Sequence, residues 1–125
     1  MEEPVVIDKP CSALDMVPTI ANLFGLDYES KVITGTDILS DNEIICIINT
    51  SSVFWNWRTE QGTYYNGSGT FTPSPTCTMT KAEINDYVNK INNKLKAMRK
   101  YSMDILNYDY YKYVFNKDFT PKYTK

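Results

Sequence analysis

The chain has 125 residues, 42% hydrophobic and 22% charged, with a net charge of −2, which suits one soluble domain with a modest core and gives no electrostatic reason to expect nucleic acid. Histidine is absent, so Ser-His and Cys-His nucleophile pairs and imidazole metal ligands are excluded. No pair of acidic residues stands at a recognisable catalytic spacing either, and neither a catalytic residue nor a metal ligand is assigned to this chain.

Residues 1–11 read as extended, with Pro4 and Pro10 bracketing the β-branched run Val5-Val6-Ile7. Apolar residues at 16, 17, 20, 21, 23 and 24 then predict a helix with a wide apolar face, and Gly25 is a natural residue to end it. Its start has two readings. Ser12 with Asp15 has capping-box spacing, whereas Asp15 as N-cap places Pro18 in the first turn, where its missing N–H costs nothing. The second, or a tight first turn that merges both, fits Pro18 better. Residues 26–42 read as loop, with turn chemistry at Thr34-Gly-Thr-Asp37 and Ser40-Asp-Asn42. Glu43 to Ile48 predicts a strand buried on both faces, and Ser52 to Arg58 a second strand. Asn66-Gly67 predicts a type I′ hairpin turn between Tyr64-Tyr65 and Thr70-Phe71, and Pro73 and Pro75 stop the sheet.

Thr80-Lys-Ala-Glu83 is a capping box that opens a long helix. Ile84, Val88, Ile91, Leu95, Met98 and Ile105 form its apolar stripe, and Ser102 and Asp109 interrupt the pattern, so a helix on a sheet fits better than a coiled coil. Residues 107–115 are aromatic-rich and suggest a further short helix, and the last ten residues a frayed tail. The expected fold class is α+β: a small antiparallel sheet of three to four strands, a short N-terminal helix and a long C-terminal helix packed on the sheet.

Cys11, Cys46 and Cys77 are an odd, widely spaced set without a Cys-x-x-Cys pair, so neither a disulfide framework nor zinc is indicated. Lys90, Lys94, Lys96, Arg99 and Lys100 fall at helical spacing and read as a solvated face rather than a phosphate-binding stripe. No run approaches the ~20 apolar residues of a membrane span, and the acidic Met1-Glu2-Glu3 start carries no targeting signal.

The segment Asp15-Met-Val-Pro-Thr-Ile-Ala-Asn-Leu-Phe-Gly25 resembles the Asp-x-x-Pro-Thr-x-x-x-Leu-x-Gly segment of sulfatases and related members of the alkaline phosphatase superfamily. Leu26-Asp-Tyr28 and Gly35-Thr-Asp-Ile-Leu-Ser40 narrow the resemblance to the lipoteichoic acid synthase-like branch, which holds phosphoglycerol transferases and sulfatases. So does the ending, a long helix closing on Asn107-Tyr-Asp-Tyr-Tyr-Lys-Tyr-Val-Phe115. The resemblance spans residues 4 to 115, with its specific block at 15–40. One departure is Asn49-Thr-Ser-Ser-Val-Phe-Trp55, where the family often has an Asn-Gly-x-Phe/Trp-like segment.

The resemblance implies a parent enzyme with a large α/β catalytic domain at the extracytoplasmic face of the cell membrane. There a Thr or modified Cys nucleophile and a divalent metal (Mn, Mg or Ca) would sit, upstream of the segment matched here. This chain itself would need no cofactor. Residues 1–42 would pack on that upstream catalytic domain, residues 43–115 would form the small sheet and long helix, and residues 116–125 a tail. The expected function is that of a non-catalytic C-terminal subdomain supporting the substrate cleft. An isolated chain would self-associate through the apolar face of its first helix. Asp15 could support a metal ligand, though a helix cap is the simpler role; Asp37 could reach the cleft, though a turn is simpler. Trp55 and Trp57 could stack on a ligand, though a buried sheet face is simpler. Exposed indoles, with the Tyr cluster at 108, 110, 111 and 113, would favour a free-standing glycan- or cell-wall-binding module instead.

Overall fold

Alternation puts every second side chain of a strand on one face, and the aromatic residues of the middle of the chain use that rule to build the core. In a computed structural model, residues 4, 6–30, 33–50, 55–108, 110 and 112 are described. Four strands, β1 (Cys46–Thr50), β2 (Trp55–Thr59), β3 (Gly62–Tyr65) and β4 (Thr70–Pro73), form an antiparallel meander in the order β1-β2-β3-β4. The register aligns Ile47 with Trp57, Trp57 with Tyr64, and Tyr64 with Phe71, one row across all four strands. Trp57 is fully buried. Its ring stacks on Tyr64 with centroids 5.3 Å apart and is tilted against Phe71 at 6.0 Å. Such aromatic pairs add to the large apolar area they remove from water.

The first helix begins with a single 3-10 turn, Ala13–Asp15, that runs into α1 (Met16–Leu23). Both expected starts are therefore present: Ser12 precedes the tight turn and Asp15 precedes α1. Pro18 sits buried in the first turn of α1. Gly25 closes it with φ 61°. The Leu26 N–H reaches the Ala21 carbonyl at 2.8 Å and the Gly25 N–H reaches the Asn22 carbonyl at 3.3 Å, the paired bonds that satisfy the last carbonyls of a helix.

The long helix α2 (Lys81–Asn107) opens as its capping box requires. The Glu83 carboxylate accepts the Thr80 N–H and hydroxyl, both at 2.7 Å, and the Thr80 Oγ1 accepts the Glu83 N–H at 3.4 Å. The first part of α2 packs on the sheet through Tyr87, whose ring meets Trp57 and Phe71 edge-on at 6.1 Å. The class is α+β.

The chain divides into two compact units, residues 1–89 and 90–125. In the second, Ile91, Leu95 and Ile105 of the expected apolar stripe are buried, and Tyr101 meets Tyr110 edge-on at 6.1 Å. Lys90, Lys94, Lys96, Arg99 and Lys100 are all exposed. Of the expected further helix over 107–115, Asn107 ends α2, Tyr108 lies in a turn, and Tyr110 and Lys112 are helical; its other residues and the tail lie outside the described residues. No helix among the described residues is long and apolar enough to cross a membrane.

Three local expectations are corrected. The first strand starts at Cys46 rather than Glu43, because Cys46 pairs with Arg58 near the end of β2 and the chain before it has little partner left. That strand is not buried on both faces: Ile48 falls where the register slips, between the Ile47 and Asn49 pairs, and is exposed. This is the behaviour of a bulge, which leaves one residue unpaired and bends the strand. The hairpin is closed by four residues, not two, since Tyr65 pairs with Thr70. Its positive φ falls on Gly69, at 65°, and not on Gly67, as in longer loops built around a type I turn.

Candidate functional site

The residues that carry the resemblance meet in one hydrogen-bonded clamp. Asp15 is 4% exposed, and a carboxylate so placed must have its lone pairs satisfied. One oxygen accepts the Ser12 N–H at 2.8 Å and the Ser12 hydroxyl at 3.0 Å; the other accepts the Thr36 N–H at 2.8 Å. Thr19, one turn along, donates its hydroxyl to the Asp15 carbonyl at 2.6 Å and accepts the Ile38 N–H at 3.0 Å. Two side chains of the helix thus strap the 35–40 loop along α1. Gly35 lies where the loop crosses the Leu14 backbone: a Cβ there would stand 1.8 Å from the Leu14 carbonyl oxygen, so no other residue fits.

Asp37 completes the loop. Its carboxylate accepts the Asn22 side-chain amide and the Leu39 N–H, both at 2.9 Å. The Asn22 amide, then the Leu39 N–H, hold this carboxyl below its usual range. Its carbonyl accepts the Ser40 hydroxyl at 2.7 Å, and Lys9 donates to the Ser40 carbonyl at 2.7 Å. Asp15 and Asp37 are therefore brought to one segment, each with both oxygens engaged by this chain. Among the described residues no group of three His, Cys, Asp or Glu side chains is placed to hold a metal.

Pro18, Thr19 and Ala21 are buried, and the opposite face of α1 is left outward. Met16, Val17, Ile20, Leu23 and Phe24 are all exposed, Leu23 and Phe24 by 63% and 70%. Beside them lies an open recess of about 180 Å³ lined by Met16, Thr19, Ile20 and Ile38 together with Cys11 and Ser12.

A second concavity, an open cleft of about 680 Å³, lies between the β3–β4 hairpin and the start of α2. Tyr64 and Phe71 line it from the sheet, and Lys81, Asn85 and Asn89 line it from one face of the helix.

Of the two readings of Trp57, ligand stacking or a buried sheet face, the structure gives the buried face. Its ring is fully buried among Tyr64, Phe71 and Tyr87 and offers no face to a ligand. Trp55, two residues earlier, is half-buried. In the Tyr cluster, Tyr108 is exposed and Tyr110 packs on Tyr101, while Tyr111 and Tyr113 lie outside the described residues.

Sequence reasoning missed a polar knot under α2. The Tyr87 hydroxyl donates to the Glu43 carboxylate and is paired with the buried Thr59 hydroxyl at 2.7 Å. Burial, then the Glu43 carboxylate, push the Tyr87 phenol upward. No family model, curated protein or solved structure matches the chain.

Proposed function

We propose that this chain is a non-catalytic C-terminal subdomain of a metal-dependent sulfatase or phosphoglycerol transferase-like enzyme. In this reading residues 1–42 dock on the preceding α/β catalytic domain, at the extracytoplasmic face of the membrane. That domain carries the nucleophile and the divalent metal, and the subdomain helps to form one wall of the substrate cleft.

The observation that carries the reading is the outward apolar face of α1. Fully burying a large apolar side chain stabilises by roughly 1.5–3 kcal/mol, so four exposed ones on one short helix, with Phe24 at its C-terminal end, are several kcal/mol that a partner can recover. Large contiguous apolar patches on a protein surface mark interaction sites. The clamp supports the same reading. It uses Asp15, Thr19, Gly35 and Asp37, the residues of the resemblance, to hold the loop and present the face. The recess beside Ile20 and Ile38 suits an apolar side chain from the docking surface.

The experiment is an assay of the purified chain with aryl phosphate and aryl sulfate in the presence of Mn²⁺ or Mg²⁺. The reading expects no turnover. Sustained turnover would place a catalyst within these residues and overturn it.

One observation favours a second reading, a glycan- or cell-wall-binding module. The cleft offers the rings of Tyr64 and Phe71 opposite the amides of Asn85 and Asn89. Such a module binds soluble cell-wall glycan in a titration as the isolated chain, and Asn85→Ala weakens that binding. A subdomain that serves only as a cleft wall gives no isotherm.

A further inference from the structure

Three cysteines are unpaired in the structure, and two of them meet although they lie 35 residues apart. The Cys46 thiol, at the start of the edge strand β1, donates to the Cys11 carbonyl oxygen at 3.4 Å. A carbonyl oxygen lies about 2.4 Å from its own Cα, which puts the Cys46 sulfur within about 6 Å of the Cys11 Cα. A Cys sulfur lies about 2.8 Å from its own Cα, so the contact bounds the two Cα atoms at about 8.6 Å, and a disulfide, which joins Cα atoms roughly 4.4–6.8 Å apart, needs at most a small closing of the two segments. Cys11 is exposed, so its side chain is free to turn toward Cys46. The Cys46 thiol is held above its usual range, first by burial, then by the neighbouring Asp15 and Cys11, with Arg58 opposing. Cys77, in the connection from β4 to α2, has no comparable contact with Cys11 or Cys46 among the described residues.

We propose that Cys11 and Cys46 form a disulfide that latches the segment ahead of α1 to the edge of the sheet. The oxidant is a low-molecular-weight disulfide. The exposed Cys11 thiolate attacks one of its sulfurs, breaking that S–S bond and releasing one small thiol after protonation. Cys46 then loses its proton to water, and its thiolate attacks the Cys11 sulfur of the mixed disulfide. The Cys11–Cys46 bond forms and the second small thiol leaves and is protonated. The two protein thiols lose two electrons and two protons, and the oxidant is reduced to two thiols. The latch closes a long loop and ties down the clamp that presents the face of α1. Its chemistry is independent of the parent enzyme's activity, and an oxidising extracytoplasmic compartment would favour it.

The test is intact-mass and peptide mass spectrometry of the full chain after treatment with oxidised glutathione. The expected product is a monomeric species lighter by two hydrogens, with the Cys11 peptide linked to the Cys46 peptide and Cys77 still open to a maleimide. The same link forms in Cys77→Ser and is lost in Cys11→Ser, whose exposed site leaves the fold intact. In thermal melts, oxidised Cys77→Ser unfolds roughly 10 °C above its reduced form. Glutathione left on Cys11 without a cross-link, a link to Cys77, or only intermolecular links would each overturn the proposal.

Discussion

The Asp15 carboxylate accepts the Thr36 backbone N–H at 2.8 Å, across 21 residues of chain. With the two Ser12 donors on its other oxygen, this bond makes Asp15 the fastening of the loop to α1. Asp15→Ala leaves three donors without their acceptor, two of them backbone groups. Hydrogen bonds to a charged partner are worth more than neutral ones, and the expected loss is about 3 kcal/mol in urea denaturation. Asp27→Ala, at an exposed position, should change stability by less than about 0.5 kcal/mol.

Two glycines are expected to respond with opposite sign. Gly35→Ala drives a methyl group into the Leu14 carbonyl and should cost more than about 2 kcal/mol. At Gly67 the position that a methyl group would take has nothing within 4 Å, and φ is not positive. Gly67→Ala should therefore be neutral or stabilise by up to about 1 kcal/mol, through the unfolded chain. Denaturation midpoints of the two variants separate the cases.

Trp57 and Trp55 should differ in solution as they do in burial. In Trp55→Phe the remaining indole is Trp57, and acrylamide should quench it weakly. In Trp57→Phe the remaining Trp55 should be quenched more strongly. Trp57→Ala empties the centre of the aromatic row and should cost about 3–5 kcal/mol. Strong quenching of Trp57 would contradict its place between the sheet and α2.

Stability should fall at both ends of the pH scale, for separate reasons. The Thr80 hydroxyl, then the Thr80 N–H, hold Glu83 below its usual range, as Asn22 and Leu39 do for Asp37. A carboxyl whose folded pKa is depressed contributes stability above its unfolded pKa, about 4, and that contribution is lost as pH falls through the folded value. Glu83→Gln and Asp37→Asn should each flatten the acid limb of a denaturation-midpoint profile. Tyr87 is shifted the other way, by burial and then by Glu43. Its contribution is complete below about pH 10, the unfolded value, and declines as pH rises beyond it. Tyr87→Phe should remove that alkaline decline.

What was legible in the sequence was local. Thr80 and Glu83 are three residues apart, and a capping box needs nothing further, so the start of α2 could be read directly. Gly25 ended α1 for the same reason. Strand limits were not legible, because they depend on the partner: β1 waits for Arg58, and the bulge at Ile48 has no local mark. The hairpin hid its true turn because Asn66-Gly67 and Gly69 are both plausible turn residues, and only the pairing of Tyr65 with Thr70 decides. At the candidate site the residue types were legible and their partners were not. Asp15 could be read as a cap, but its bond to Thr36, like that of Tyr87 to Glu43 44 residues away, is created by the fold.

The apolar face of α1 should make the isolated chain associate. Light scattering is expected to give a mass above the 14.4 kDa of one chain, rising with concentration. Leu23→Asp with Phe24→Ser, both at exposed positions, should return it to a monomer without loss of helix. A clean monomer of the unaltered chain at high concentration would count against α1 as a docking face.

The most direct test of the subdomain reading is to determine the genomic coding sequence immediately upstream of residue 1. The account predicts an open frame that continues upstream into an α/β domain with a Thr or Cys nucleophile and an Asp-His pair. A stop codon in frame, followed by a start at Met1, would contradict it and shift the weight to a free-standing module that binds in the cleft beside Tyr64 and Phe71.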